Sequence, residues 1–393
     1  DKVEEGPGLT PTSLTWEPAK IAADKMDNQI QDQLKETNAD KALRSTIFEM
    51  CVFGTGLMKG PTLLNKEYPK WEADGTYKPV TKVVPEISYV SIWDSYPDPD
   101  AANMMECEFF IQRHKMSKTQ LRQLKRRPFF RADQIDAAIA DGFNYTKEYW
   151  EDTIEDYRNE VSNERFEVLE YWGLADSDFE EFTKLKIPAQ FKGLDEVQIN
   201  AWVCNGRLLR LVYNPYTPAK IPFYAVPYEL NPYSFFGIGV PENMEDSQLL
   251  MNGFLRLMVD NAILSSNVIF EVNETMLAAN QKMELYPGKI FRTQGPIGQS
   301  IYAHKIDSVT QECIMMFDKA RQLADESTGM PSYSHGMSGI QSTGRTAAGM
   351  SMLMGAAKEN IKTVIRNIDD YLLVPLGKAL FAFNMQFNFS EEF

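Results

Sequence analysis

Three helical segments dominate the sequence after residue 240, and they constrain the fold more than any other feature. Pro241 suits a first helical position, and the acidic residues that follow it favour the positive end of a helix dipole. Apolar residues recur at helical spacing in the other two segments, and Pro375 is expected to kink the last one. The segments are 241–267, 307–328 and 346–393. The first alone predicts a helix roughly 39 Å long.

The two segments that separate these helices differ in composition. Residues 268–306 contain short β-like runs with turns at Pro287-Gly288 and Gly295-Pro296, which indicates a compact β-rich insertion. Ser308 and Gln311 match a capping box at the start of the second helix. Residues 329–345 are rich in Gly and Ser and predict a long loop, a kind of segment that is usually functional or disordered.

This loop contains a near match to a nucleotide-binding motif. The stretch "GIQSTGRT" at 339–346 follows the P-loop pattern except that Arg345 stands where Lys belongs. A P-loop needs a strand before the loop and a helix after it, whereas here a helix precedes the loop. We therefore expect a loop between two helices, and a degenerate P-loop NTPase remains the less favoured alternative.

The residues before 240 show both helical and strand patterns. Residues 1–19 are rich in Pro, Gly, Thr and Glu and predict a loose arm. Residues 20–240 alternate helical and strand patterns, with helix expected over 20–50 and over the acidic stretch 131–163. The Pro-rich and aromatic stretch 221–239 is expected to be an irregular connector. The fold class predicted for the chain is therefore α+β.

Strand and turn signals are clearest in the middle of this region. Residues 165–176 and 199–216 are strand candidates, the second with a hairpin turn at Asn205-Gly206. Short strands are also expected over 77–101, where prolines interrupt an apolar alternation. Ser117 is the expected N-cap of a short helix.

Charge and residue counts exclude several classes of protein. The net charge of −15 argues against tight nucleic-acid binding, although it suits a protein that DNA passes without sticking. The four cysteines and three histidines are scattered, so we expect no disulfide framework, metal site, cofactor or catalytic triad, and a reducing compartment fits. No apolar run approaches the roughly 18 residues of a membrane span, so no membrane association is expected.

Three local motifs have both a functional and a structural interpretation. The basic stretch "LRQLKRRPFFR" at 121–131 could contact nucleic acid, but a solvated helix face or a subunit contact is favoured. Asp94, Asp98 and Asp100 could converge on a cation, but the prolines between them favour a structural turn. The glycines of 54–60 are expected to form a turn or bulge rather than a phosphate loop.

Element order and three stretches carry a resemblance to a known family. The order is helix, β-rich insertion, helix, Gly/Ser loop and long kinked helix. The stretches are "YVSIWDSYPDPDA", "FFGIGVPENMEDSQLLMNGFLRLMVDNAI" and "GRTAAGMSMLMGAAKENIKTVIRNIDDYL". Together they resemble tailed-bacteriophage portal proteins, also called head-to-tail connectors, and most closely those of short-tailed phages. The resemblance extends from about residue 20 to about residue 390.

The resemblance implies a portal-like domain organisation. It comprises an N-terminal arm (1–19), an α+β wing (20–240), two stem helices (241–267 and 307–328), a clip (268–306), a tunnel loop (329–345) and a long kinked helix towards the wing or crown (346–393). The closed ring of the family gives each subunit two different contact faces. This would explain apolar residues outside one stripe of the first stem helix, namely Met251, Phe254, Leu255, Leu257 and Met258.

The resemblance also implies a function and a set of partners. A portal is a non-enzymatic, dodecameric ring at one capsid vertex of the virion, assembled in the host cytoplasm. It conducts double-stranded DNA during packaging and ejection. Its other expected partners are the major capsid protein, the scaffolding protein, the terminase large subunit and tail adaptor proteins. The alternative of the same general kind is another virion structural protein, such as an adaptor or an internal core protein.

Two groups of residues are the expected functional sites under this resemblance. The tunnel-loop residues expected to face DNA are Ser332, Tyr333, Ser334, His335, Met337, Gln341, Ser342, Thr343 and Arg345. The clip residues expected to dock terminase or adaptor are Glu271, Asn273, Glu274, Lys282, Glu284, Lys289 and Arg292.

Overall fold

The protein is described by a computed structural model in which the chain divides into two compact units. Residues described are 13–71, 76–147, 151, 164–176, 195–278, 280, 282–284, 286–294, 296, 298–329 and 361–387, with backbone alone for 13–19. The first unit combines Asp1–Val240 with Ile361–Phe393, and the second is Pro241–Asn360. The second unit is therefore an insertion between two sequence segments of the first.

The first unit contains both helices and strands. In the second unit two long helices flank a small β-containing insertion. The helices are α1 (Ser13–Glu36), α2 (Ala39–Phe53), α3 (Lys118–Leu124), α4 (Ala132–Ala140), α5 (Val240–Ser266), α6 (Thr310–Thr328) and α7 (Val374–Phe387). The strands are β1 (Thr55–Tyr68), β2 (Val80–Val90), β3 (Ser95–Pro97), β4 (Phe109–Met116), β5 (Phe166–Asp176), β6 (Glu196–Cys204), β7 (Arg207–Tyr213), β8 (Phe223–Pro227), β9 (Ile269–Val272) and β10 (Ile301–His304). The chain is thus a mixture of α and β structure, as predicted.

The sheets are antiparallel throughout the described residues. The first unit holds a three-stranded sheet of order β2-β1-β8 and a five-stranded sheet of order β3-β4-β5-β6-β7, and β9 pairs with β10 in the second unit. The expected hairpin between β6 and β7 is confirmed, because Asn205 and Gly206 both have positive φ, as a tight two-residue turn requires. The glycines of 54–60 also behave as expected, since the register of β1 shifts between Lys59 and Thr62.

Strand β1 is buried on both faces at its start. Leu57 packs in a cluster with Phe110, Trp172 and Phe223, which joins the two sheets. Its neighbour Met58 points the opposite way, into a cluster with α2 and the C-terminal helix. The three-stranded sheet is therefore the middle layer of the first unit.

A third cluster places α3 and α4 against the five-stranded sheet. Leu121, Leu124 and Ile135 are buried against β5, β6 and β7. The start of α3 is fixed by the predicted N-cap, since Ser117 accepts a hydrogen bond from the backbone N–H of Gln120 and the Gln120 side chain accepts one from the N–H of Ser117.

The C-terminal helix changes its hydrogen bonding next to Pro375. Residues 361–368 are helical, Asp369–Leu373 form a π-helical turn, and α7 follows. Proline has no N–H to offer the preceding turn, so the predicted irregularity at this point has a local cause. Leu372, Leu376 and Leu380 anchor the helix in the cluster that contains Met58.

Several expectations about boundaries are wrong. The single helix predicted over 20–50 is two helices, because Asn38 adopts a left-handed conformation between α1 and α2. Helix α1 begins at Ser13, inside the segment predicted as an arm. Helix α4 ends at Ala140, and 141–147 are not helical, although Glu151 is helical and the rest of 148–163 lies outside the described residues. Apolar periodicity continued across the break at Asn38, so it did not reveal the turn.

The connector at 221–239 contains a strand that its prolines concealed. Strand β8 pairs with β1 from Thr55↔Pro227 to Lys59↔Phe223. It lies at the edge of its sheet, where proline at a strand end is tolerated.

The capping box predicted at Ser308 is also wrong. The residue before α6 is Val309, which makes no side-chain cap. The side chain of Asn261 in α5 instead accepts a hydrogen bond from the N–H of Val309 at 2.9 Å.

Candidate functional site

Helix α5 has an unusual surface for a helix of its length. It contains 27 residues, all of them described, and none is buried. Seven large aliphatic side chains on it are between 49 and 61% exposed, namely Leu249, Leu250, Leu255, Leu257, Val259, Ile263 and Leu264. At 1.5 Å per residue the helix is about 40 Å long. Such apolar area is costly to leave in water, which marks the helix as a contact surface.

Helix α6 repeats this feature on part of its surface. Cys313, Ala320 and Ala324 are buried, as the predicted apolar face requires. Met316 and Leu323 belong to the same predicted face but are 56 and 45% exposed. The helix therefore has apolar area available for a further contact.

Helices α5 and α6 are tied together where the β insertion begins and ends. Asn261 in α5 donates from Nδ2 to the carbonyl of Asp307 at 3.3 Å and accepts from the N–H of Val309. This one side chain satisfies backbone groups at the start of α6, so it fixes the base of the insertion.

The insertion places the predicted docking residues Glu271, Asn273 and Glu274 along and just after β9. Glu271 lies in β9, and its Oε2 lies 2.9 Å from Nε2 of His304 in β10. Both side chains are more than half exposed, so solvent screens the pair and it contributes little stability. Asn273 is structural, because its Oδ1 accepts from the N–H of Thr275 and its own N–H donates to the carbonyl of Ser300. Glu274 is exposed in the short helix Glu274–Met276.

The other predicted docking residues lie between β9 and β10 in the sequence. Lys289 reaches the carbonyl of Lys282 and lies 5.2 Å from the ring centroid of Tyr286, across the turn expected at Pro287-Gly288. Glu284 and Arg292 are exposed, and the carbonyl of Arg292 accepts from the N–H of Ala278. The turn predicted at Gly295-Pro296 includes Gly295, which lies outside the described residues.

Sequence reasoning missed the apolar part of this surface. Ile290 is 82% exposed, Tyr302 is 62% exposed and Phe270 is 40% exposed. The signal was present, since these residues are large and apolar in a segment too short to bury them. The insertion therefore exposes both charged and apolar side chains.

The predicted tunnel-loop residues cannot be placed in this way. All of 330–360 lie outside the described residues, including Ser332, Tyr333, Ser334, His335, Met337, Gln341, Ser342, Thr343 and Arg345. The P-loop-like stretch 339–346 lies there too.

A buried ionic centre in the first unit was not foreseen. The carboxylate of Glu170 in β5 accepts hydrogen bonds from Lys59, His114 and Trp172 at 2.6, 2.7 and 2.7 Å. Burial alone would raise the pKa of Glu170, but the charge of Lys59 and the hydrogen bond from His114 outweigh it and hold that pKa well below its usual range. Lys59, His114 and Trp172 all hydrogen-bond to this one buried carboxylate, which indicates a structural centre.

The aspartates of 94–100 are also structural. Asp94 accepts from Nε of Arg113 at 3.0 Å, and Asp98 accepts from the N–H groups of Asp100 and Glu108. This agrees with the turn that the sequence favoured. Among the described residues no group of three His, Cys, Asp or Glu side chains could hold a metal ion. No helix in the described part of the chain is long and apolar enough to cross a membrane.

Comparison with protein families gives a match over most of the sequence. The family described as Phage SU10 portal protein matches residues 8–393, which is nearly the whole chain.

Proposed function

This chain belongs to the phage portal protein family, and from that premise we propose that it forms a closed ring at one capsid vertex and conducts double-stranded DNA during packaging and ejection. Portal proteins are structural components of the virion rather than enzymes. The first unit would be the wing, α5 and α6 the stem, and the insertion between them the clip.

The observation that carries the proposal is the unburied surface of α5. An isolated helix of this kind is stabilised mainly by packing of its apolar face, and α5 has no buried residue. Neighbouring subunits of a ring would cover that face, because a head-to-tail ring brings one face of each subunit against a different face of the next. We propose a dodecameric ring, as in the family.

The test of assembly is direct imaging of the purified chain. Class-averaged electron micrographs should show rings with an axial hole. The change Leu257→Glu places a charge at a position that is 56% exposed in the isolated chain and buried in the proposed ring, so it should abolish rings. The matched control Gln248→Glu adds the same charge at an exposed polar position of α5 and should leave rings intact. Rings formed equally by both variants would contradict the proposed stem interface.

The clip is proposed as the docking platform for the terminase large subunit and later for tail adaptor proteins. Its support is the exposure of Glu271, Glu274 and Glu284 beside exposed apolar side chains. Charge reversal at these three positions should weaken binding of either partner without loss of rings. Unchanged docking by all three variants would move the interface elsewhere.

The tunnel loop is proposed to contact DNA inside the channel. Deletion of 332–343 should leave rings intact and impair DNA retention or packaging. Loss of ring assembly on deletion would instead make the loop a structural element. The major capsid and scaffolding proteins are the remaining proposed partners, at the rim of the ring.

A further inference from the structure

An arginine-rich surface lies in the first unit, on the turn that links α3 to α4. Residues 118–131 contain Lys118, Arg122, Lys125, Arg126, Arg127 and Arg131 and no acidic residue, in a chain whose net charge is −15. We call the exposed side chains of Arg122, Arg126, Arg127 and Phe129 the basic turn. We propose that the basic turn binds the phosphate backbone of double-stranded DNA, with Phe129 against the groove.

The arginines of the basic turn have no counter-ion among the residues that the structure describes. Lys125 is paired with Asp136, so it is already neutralised. Arg122, Arg126 and Arg127 are exposed, and within the described residues their side chains make no ion pair or hydrogen bond. Like charges that lie close together repel each other, and an anion bound between them would remove that cost. A planar guanidinium binds phosphate through two parallel hydrogen bonds.

Phe129 is held in a conformation that an L-residue avoids. Its φ is 69°, in the left-handed region, while its side chain is 73% exposed. A bulky residue is strained at such a φ, and no burial of the ring offsets that strain. Aromatic rings beside arginines stack on bases or enter the minor groove in nucleic-acid complexes. This exposed ring favours DNA over an acidic protein surface as the occupant.

The platform beneath the basic turn is rigid. Leu121 and Leu124 are buried in the cluster below α3, and Phe130 lies against Trp202 with ring centroids 5.4 Å apart. The N–H of Arg131 donates to the carbonyl of Leu209 at 2.8 Å. The strained conformation of Phe129 is therefore fixed from both sides, as a preorganised binding surface requires.

A further cation lies behind this surface. The guanidinium of Arg210 lies 5.3 Å from the ring centroid of Phe130, and its buried Nε has no hydrogen-bond partner among the described residues. Burial lowers the pKa of Arg210, the charge of Glu170 opposes this effect, and the nearby charge of Arg127 adds to it. Arg127 is therefore close enough to Arg210 for their charges to repel.

This contact goes beyond the proposed conduit, since it requires neither the tunnel loop nor the insertion. The test is fluorescence anisotropy of a labelled 20-base-pair duplex with the purified full chain at several salt concentrations. The variant Arg126→Gln with Arg127→Gln removes two proposed phosphate contacts. The plot of log affinity against log salt concentration should become less steep by roughly 1.8 for this variant. Between about 50 and 200 mM salt, its loss of affinity should therefore be roughly twelvefold smaller than that of the wild type.

The matched control removes two exposed cations on α2 by Lys41→Gln with Arg44→Gln, which changes the net charge equally. The control should keep the wild-type slope. If the arginine variant does not fold, Arg122→Gln gives the same test with a slope change of roughly 0.9. Equal slopes for the arginine variants, the control and the wild type would overturn the proposal. An arginine variant that keeps the wild-type affinity for DNA but no longer forms rings would also overturn the proposal, and it would indicate a subunit contact instead.

Phe129→Gly separates binding from stability. Glycine accepts a positive φ without strain, so the melting temperature should not fall, while duplex affinity should drop at least severalfold. Undiminished affinity of this variant would remove Phe129 from the proposed surface.

Discussion

The buried carboxylate of Glu170 offers the sharpest test of the energetics of the first unit. The change Glu170→Gln keeps the shape of the side chain and removes its charge. The side chain is 3% exposed and accepts from Lys59, His114 and Trp172. An amide would aim an N–H₂ group at neighbours that are themselves donors, and it would leave the ammonium of Lys59, whose side chain is 11% exposed, without a counter-ion.

The magnitude follows from breaking a buried ion pair by removal of one partner. Such changes cost about 3–5 kcal/mol, because the remaining charge is uncompensated. For a unit of this size the loss corresponds to a melting temperature lower by roughly 10 °C. The double change Lys59→Met with Glu170→Gln should recover part of this loss, since it no longer buries an unpaired charge.

The pH dependence gives an independent check of the same contact. The folded pKa of Glu170 lies below its ordinary value of 4.5, so its stabilisation is present above that pH and is lost as the pH falls through the folded value. The difference in melting temperature between wild type and Glu170→Gln should be largest near neutral pH and should shrink below about pH 4.5. Thermal melts followed by tryptophan fluorescence would measure it. A variant that melts within 2 °C of wild type at neutral pH would refute the reasoning, since that shift corresponds to about 1 kcal/mol or less.

Three further predictions concern local features of the first unit. Gly54→Ala should destabilise by about 2–5 kcal/mol, because φ is +80° and the new Cβ would lie 2.1 Å from the carbonyl oxygen of Gly237. Gly206→Ala, at φ +69° in open space, should cost only about 1–2 kcal/mol, and equal melting temperatures for the two would contradict the steric argument. Ser117→Ala removes the cap of α3 and should cost about 1 kcal/mol in denaturant titration, whereas no change would mean that the cap is redundant. Burial raises the pKa of Cys107 to about 11, so mass spectrometry should find it alkylated far more slowly at pH 8 in the folded than in the unfolded chain, and equal rates would disprove this.

Local signals in the sequence were sufficient for some elements. The Asn205-Gly206 turn and the Ser117 cap depend on residues within a few positions of each other, and the structure has both. Helix α5 was predicted from Pro241 near its start and from the acidic residues that follow. Strand β8 was not, because proline at its ends looked like a connector and its place at a sheet edge depends on pairing with a distant strand.

The ionic centre and the insertion also depend on contacts between residues that are distant in the sequence. Lys59, His114 and Glu170 meet only because of the registers of two sheets, and a register error of one residue would turn each side chain to the other face. Glu271 was predicted as a docking residue, but its contact with His304 depends on the diagonal geometry of the β9–β10 pair. Contacts between distant residues could therefore not be predicted from sequence patterns.

The pairing of the first and last described helices has a consequence for synthesis on the ribosome. Gln33 in α1 and Asn384 in α7 exchange two side-chain amide hydrogen bonds, and Leu376 and Leu380 complete the cluster that covers Met58. Domains generally fold as units while translation proceeds at about 5–20 residues per second. The first unit therefore cannot complete its core until α7 has emerged, after the whole of Pro241–Asn360 has been translated. The face of the sheet that contains Met58 therefore stays uncovered in the nascent chain throughout that interval. We expect a chain that terminates before residue 361 to aggregate rather than to form a shorter functional subunit.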